Sequence, residues 1–150
     1  MRDANSLSRE RTGMENLFAY GTLMCEDIME EVSGCRLSGI AGILRSYGRR
    51  PVKGEHYPAL VPDKKGSVAG IIYLNLPAPV WDRLDRFEGR MYVRQPVQVE
   101  LRDGTILPAA TYVVRQEFID HLEESDWDFD DFLRNGKKSF QLNYRGYRQL

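Results

Sequence analysis

The chain is poor in the residues from which most metal and hydrolytic sites are built. Its histidines are His56 and His121 and its cysteines Cys25 and Cys35, in 150 residues. A metal centre needs three or four converging donors. Neither histidine is flanked by other ligand types, so packing or surface roles are expected and no metal is. Two scattered cysteines behind a polar N-terminal stretch fit a reducing cytoplasm, with free, partly buried thiols. A Cys–His pair has no local support. Gly-x-Ser-x-Gly, the phosphate loop and Gly-x-Gly-x-x-Gly are all missing, so neither an acyl-serine mechanism nor a nucleotide cofactor is expected.

Charge of one sign is also lacking. Lys and Arg number 21 against 22 Asp and Glu, for a formal net charge of −1. Nothing therefore draws the whole chain to nucleic acid or to an anionic membrane. No apolar run approaches the roughly 20 residues that span a bilayer. A calcium loop is suggested by Asp126-x-Asp128-x-Asp130 but fails further on. Asp131 stands where Gly is required and Lys137 where a bidentate Glu is required. The basic loop Arg45, Arg49, Arg50 and Lys53 reads as solvated surface.

What is present describes one ordinary globular domain. Hydrophobic residues make up 42% of the chain, enough for a sizeable core without staples. Met1 to Gly13 reads as a flexible leader, and residues 14–150 as a single domain. Leu17 to Tyr20 is a short apolar strand closed at Gly21. Glu26 to Val32 reads as a short helix stopped at Gly34. Leu37 to Tyr47 reads as a bent strand, Arg49 to Glu55 as a loop, Tyr57 to Pro62 as a short extended piece, and Ser67 to Leu74 as a strand. Pro77 and Pro79 suit a helix start. Val80, Trp81, Leu84 and Phe87 line one face of that helix, and Gly89 ends it. Tyr92–Leu101 and Ile106–Val114 make a hairpin about Asp103-Gly104. Ser125 is expected to cap a last helix that Asn135-Gly136 closes, with a Tyr- and Arg-rich covering tail behind it. Hairpins outnumber strand–helix–strand units. The fold class is therefore α+β, with about six strands in a mixed, largely antiparallel sheet.

Two features could carry chemistry. In Phe18-Ala19-Tyr20-Gly21-Thr22-Leu23 a strand ends at glycine just before a helix. Successive N–H groups there can form an anion-binding nest, or the glycine can simply turn the chain. Glu88 sits in the last turn of its helix, where the helix dipole disfavours a carboxylate. It also borders the apolar face. It either points inward as a proton-transfer group of raised pKa or pairs with Arg90 or Arg94.

The order and spacing of several segments resemble the γ-glutamylcyclotransferase-like superfamily. They are the Phe18–Leu23 stretch, Tyr57-Pro58-Ala59-Leu60, Val68–Tyr73, Leu84-Asp85-Arg86-Phe87-Glu88-Gly89, Tyr92-Val93-Arg94 and Val97-Gln98-Val99. The resemblance spans Leu17 to Val114. It implies a small mixed barrel with flanking helices. It also implies a Tyr20-Gly21-Thr22-Leu23 loop that cradles the substrate, and Glu88 as catalytic acid/base. Thr22 stands where many relatives have Ser, which keeps a hydroxyl. The implied reaction turns a γ-glutamyl amide into 5-oxoproline and a free amine, with no metal or cofactor. A binding module that keeps the fold without turnover is the alternative. The implied partner is a small γ-glutamyl molecule, and the resemblance leaves the leaving amine open.

Overall fold

The computed structural model describes residues 14–150, so the leader expected over 1–13 lies outside the described residues. Five strands close into a barrel: β1 (Met14–Ala19), β2 (Gly39–Pro51), β3 (Pro58–Pro77), β4 (Tyr92–Leu101) and β5 (Ile106–Val114), in the order β1-β3-β2-β4-β5. Neighbours are antiparallel except at the closure, where β1 meets β5 in parallel through Leu17 and Ala110. The mixed, largely antiparallel α+β barrel is thus the one expected, with two differences in detail. Tyr57–Pro62 and Ser67–Leu74 are not separate strands. From Pro58 on they belong to β3, whose ladder with β2 shifts register between Arg45 and Tyr47 and so absorbs residues 63–66. And β2 runs on through Arg49 to Pro51, because that pairing continues to Pro58.

Helices cover one side. α1 (Glu26–Ser33) ends at Gly34, whose φ of 78° is the left-handed conformation that a glycine cap supplies freely. α2 (Ala78–Glu88) follows β3 without a loop. Pro77 is its N-cap and Gly89 its C-cap, with the Gly89 N–H donating to the Asp85 carbonyl. A chain carrying α3 (Phe129–Asp131), a π turn (Phe132–Gly136) and α4 (Lys137–Asn143) then packs over the barrel end. Ser125 does not cap this segment. Asp128 does, through an Asp131 N–H···Oδ1 bond of 3.1 Å. Nor does Asn135-Gly136 end it. A Cβ on Gly136 would lie 2.8 Å from His56 Nδ1, so the glycine serves close approach within a continuing helix.

Alternate residues of the strands feed two cores. Phe18, Leu44, Leu60, Val68, Ile72 and Val99 cluster with other strand residues and with Tyr20, just past the end of β1, and fill the barrel. Leu17, Ala59, Tyr73 and Tyr112 face outward and pack with Ile28, Met29, Val80, Trp81, Leu84 and Phe87 of the helices. Burying apolar side chains of this size contributes about 1.5–3 kcal/mol each. Among the described residues, no helix is long and apolar enough to cross a membrane.

Candidate active site

At one barrel end β1 finishes, β3 and β4 begin, and β5 finishes. This brings Tyr20, Pro58, Tyr92 and Tyr112 together although they lie far apart in the chain. α2 delivers Glu88 to the same place, because its last turn leans over the strand ends. Between them lies a narrow cavity walled by Tyr20, Gly21, Thr22, Leu23, Tyr57 and Glu88, with Tyr92, Tyr112, Phe140 and Tyr144 completing it. All five residues expected to form the site from the sequence therefore line one space. The later segment adds Phe140 and Tyr144, which the sequence reading did not select. Their signal was present: Phe140, Tyr144 and Tyr147 stand at i, i+4 and i+7, an apolar helical stripe.

The loop after β1 is held open by its surroundings. Thr22–Met24 makes a single 3-10 turn, with Met24 N–H donating to the Gly21 carbonyl at 3.0 Å and Cys25 N–H to that of Thr22 at 3.1 Å. The N–H groups of Gly21, Thr22 and Leu23 donate to no partner among the described residues. A Cβ on Gly21 would come within 2.8 Å of Pro58 Cγ, so the loop can lie this close to β3 only with glycine there.

Tyrosine hydroxyls lace the wall together. Tyr20 donates to the Tyr112 carbonyl at 2.7 Å, Tyr73 to that of Leu23 at 2.7 Å, and Tyr92 to that of Pro58 at 2.8 Å. Tyr144 donates to the Glu88 carbonyl at 3.2 Å, and Tyr112 to Asp85 Oδ1 at 2.6 Å. Each bond fixes a backbone or carboxylate that shapes the cavity, and each satisfies a hydroxyl that would be costly to bury unpaired. Of the cavity tyrosines described, Tyr57 alone keeps an uncommitted hydroxyl, with its pKa pushed up to about 12 by burial and then by Glu55.

Glu88 has no such ties. Among the described residues its carboxylate forms neither an ion pair nor a side-chain hydrogen bond. Arg94, one of its two expected salt-bridge partners, instead sits 3.6 Å from Asp85 and lies over the Trp81 ring at 4.7 Å. Burial raises the Glu88 pKa to about 8, and the nearby Asp85 charge adds to the rise. A carboxyl in this state exchanges protons near neutral pH. Cys25 is buried, Cys35 half-buried, and both are free. Among the described residues, no three His, Cys, Asp or Glu side chains converge on a point.

Known proteins share this arrangement of elements. Residues 17–129 match the family described as gamma-glutamyl cyclotransferase, AIG2-like. An AIG2-like protein D of Arabidopsis thaliana is 31% identical over 91% of this chain and 86% of its own length. A solution structure of an Arabidopsis thaliana protein superposes with a TM-score of 0.68 at 26% identity, covering 85% of this chain and 86% of that one. A solved gamma-glutamyl cyclotransferase shares the fold with a TM-score of 0.64 at 15% identity, over 89% and 84% of the two chains.

Proposed function

The chain belongs to the gamma-glutamyl cyclotransferase, AIG2-like family, and on that premise we propose that it is an enzyme that cyclises the glutamyl part of a γ-glutamyl amide to 5-oxoproline and releases the amine. The reading rests above all on Glu88. It is a carboxyl with its pKa near 8, sharing a tyrosine-walled cavity with three N–H groups, and among the described residues neither it nor they have a partner.

The substrate's own α-nitrogen is the nucleophile, so the protein needs no serine or cysteine of its own. That nitrogen attacks the γ-carbonyl carbon, the ring C–N bond forms, and the bond to the leaving nitrogen breaks. The α-ammonium loses two protons on becoming a lactam N–H, and the amide nitrogen gains two on leaving as an ammonium. The Glu88 carboxylate takes protons from the first and returns them to the second. The Gly21, Thr22 and Leu23 N–H groups hold the substrate carboxylate or the developing oxyanion. Tyr57 offers a further donor. The tight cavity holds amine and carbonyl in the geometry that the ring closure needs.

The test is release of 5-oxoproline from a panel of γ-glutamyl amino acids and amines, with Glu88→Gln as the control. Turnover by the natural chain and its loss in the variant are expected. A panel left intact by the natural chain leaves a binding module of the same fold.

A further inference from the structure

Glu88 lines a second space besides the narrow cavity. On its other side lies a groove of about 950 Å³, walled by Tyr57 and Tyr144 at the junction and by the end of α2 and the C-terminal segment beyond. A γ-glutamyl group is small and fixed in size, whereas this groove is several times larger than one amino-acid side chain. The scissile bond at Glu88 would place the glutamyl half in the cavity and the leaving half in the groove.

The charge of the groove is not balanced. Arg86, Arg90, Arg145 and Arg148 all line it and all are exposed. Among the described residues, none of the four has a carboxylate within ion-pair distance. The acidic groups on the same walls are Glu55, Asp85 and Glu88. Asp85 is already engaged by Arg94 and by the Tyr112 hydroxyl, and Glu88 is the proton carrier. Arg86 is anchored at the rim, its Nε donating to the Gln149 carbonyl at 3.1 Å. Arg90, Arg145 and Arg148 are left with guanidinium groups that match carboxylates in geometry and charge.

We propose that this groove is a leaving-group subsite for an amine that itself carries carboxylates, with Arg90, Arg145 and Arg148 as its specificity-determining residues. The proposal rests on the cavity being the glutamyl site. It ranks substrates: γ-glutamyl conjugates of acidic amino acids or peptides first, neutral amines next, and diamines or polyamines last.

The experiment compares γ-glutamyl-glutamate, γ-glutamyl-ethylamine and γ-glutamyl-1,5-diaminopentane as substrates of the full chain at low and high salt. A kcat/KM at least about tenfold higher for the first than for the last is expected, shrinking as salt screens the arginines. In Arg90→Gln/Arg145→Gln/Arg148→Gln that ratio should fall towards one, at up to about fivefold per exposed charge. Arg102→Gln, in the β4–β5 turn, should leave it intact. Equal or better turnover of the diamine conjugate overturns the subsite while leaving the cyclisation standing. Calorimetry on Glu88→Gln separates the remaining cases. No turnover of any compound, with binding still selective for γ-glutamyl-glutamate, sinks the cyclisation and keeps the subsite. No turnover and no selectivity sinks both.

Discussion

The barrel interior and the layer beneath the helices are built by the same strands, on alternate residues, yet they differ in kind. The interior holds Phe18, Leu44, Leu60, Val68, Ile72 and Val99, and the buried hydroxyls beside them, those of Tyr20 and Thr111, are both bonded to backbone carbonyls. The outer layer holds Tyr73, Tyr92, Tyr112, Trp81 and Phe87, and Glu88 stands at its edge. Backbone ladders surround the interior, so a group deep within it has few routes to water or ligand. The outer layer ends where the strands end. An ionisable side chain can be half-desolvated there and still meet a substrate. One face of each strand fills the barrel, and the other packs beneath the helices and borders the candidate site.

The sharpest way to break that comparison is to exchange the roles. Glu88→Gln keeps shape and removes the proposed proton carrier, so turnover of a γ-glutamyl substrate should fall by about 100- to 10,000-fold with binding retained. Activity within a few-fold of the natural chain would end the distinction.

The same variant should show its charge in a pH series. Glu88 has a folded pKa of about 8 against an ordinary 4.5. Below the lower value both states hold the proton and Glu88 costs nothing. As pH rises from there the unfolded chain loses its proton first, so the stability contribution present at low pH drains away until about pH 8. The stability advantage of Glu88→Gln, read as a Tm gap, should thus open from near pH 4.5 and level off above about 8, reaching a few kcal/mol at about 1.4 kcal/mol per pKa unit. If the natural chain turns over a γ-glutamyl substrate as proposed, its kcat/KM should climb towards the same upper value as the carboxylate forms. A Tm gap that does not change with pH would contradict the buried carboxyl.

Leu44→Ala makes the opposite cut. Its side chain is 2% exposed inside the barrel. Unfolding stability should drop by about 2–5 kcal/mol, while kcat per folded molecule stays unchanged; denaturant titration and active-fraction assays read both. Gly21→Ala is gentler. Its methyl group would press on Pro58, at a cost of about 1–3 kcal/mol, and KM should rise about tenfold with kcat nearly kept. Smallest of all, Tyr144→Phe removes the bond to the Glu88 carbonyl and should cost about 0.5–1.5 kcal/mol.

Much of this was readable beforehand. α2 announced itself by Pro77 and Pro79 in front, the spacing of Val80, Trp81, Leu84 and Phe87, and Gly89 behind. Glu88 stood out by breaking the dipole rule at its end. β3 was misread as two pieces because Asp63-Lys64-Lys65-Gly66 looks like a loop. Its continuity depends on β2 lying alongside, which no local pattern shows. Asn135-Gly136 misled for a related reason. Its glycine answers to the ring of His56, far away in sequence, and not to a helix end.

By itself, then, the sequence determined β1, the β4–β5 hairpin, the glycine loop after Tyr20 and the single carboxyl out of place, because periodicity, turn chemistry and helix electrostatics act over a few residues. Only the tertiary structure decided that Glu88 would shed the arginine partners offered to it. Arg94 was taken by Asp85 and Trp81 instead. It decided as well that Tyr144 would close the cavity and that Arg145 and Arg148 would gather beside Arg90. Those outcomes depend on barrel closure, which brings strand ends and tail to one point, and closure is a long-range event that no window of sequence contains.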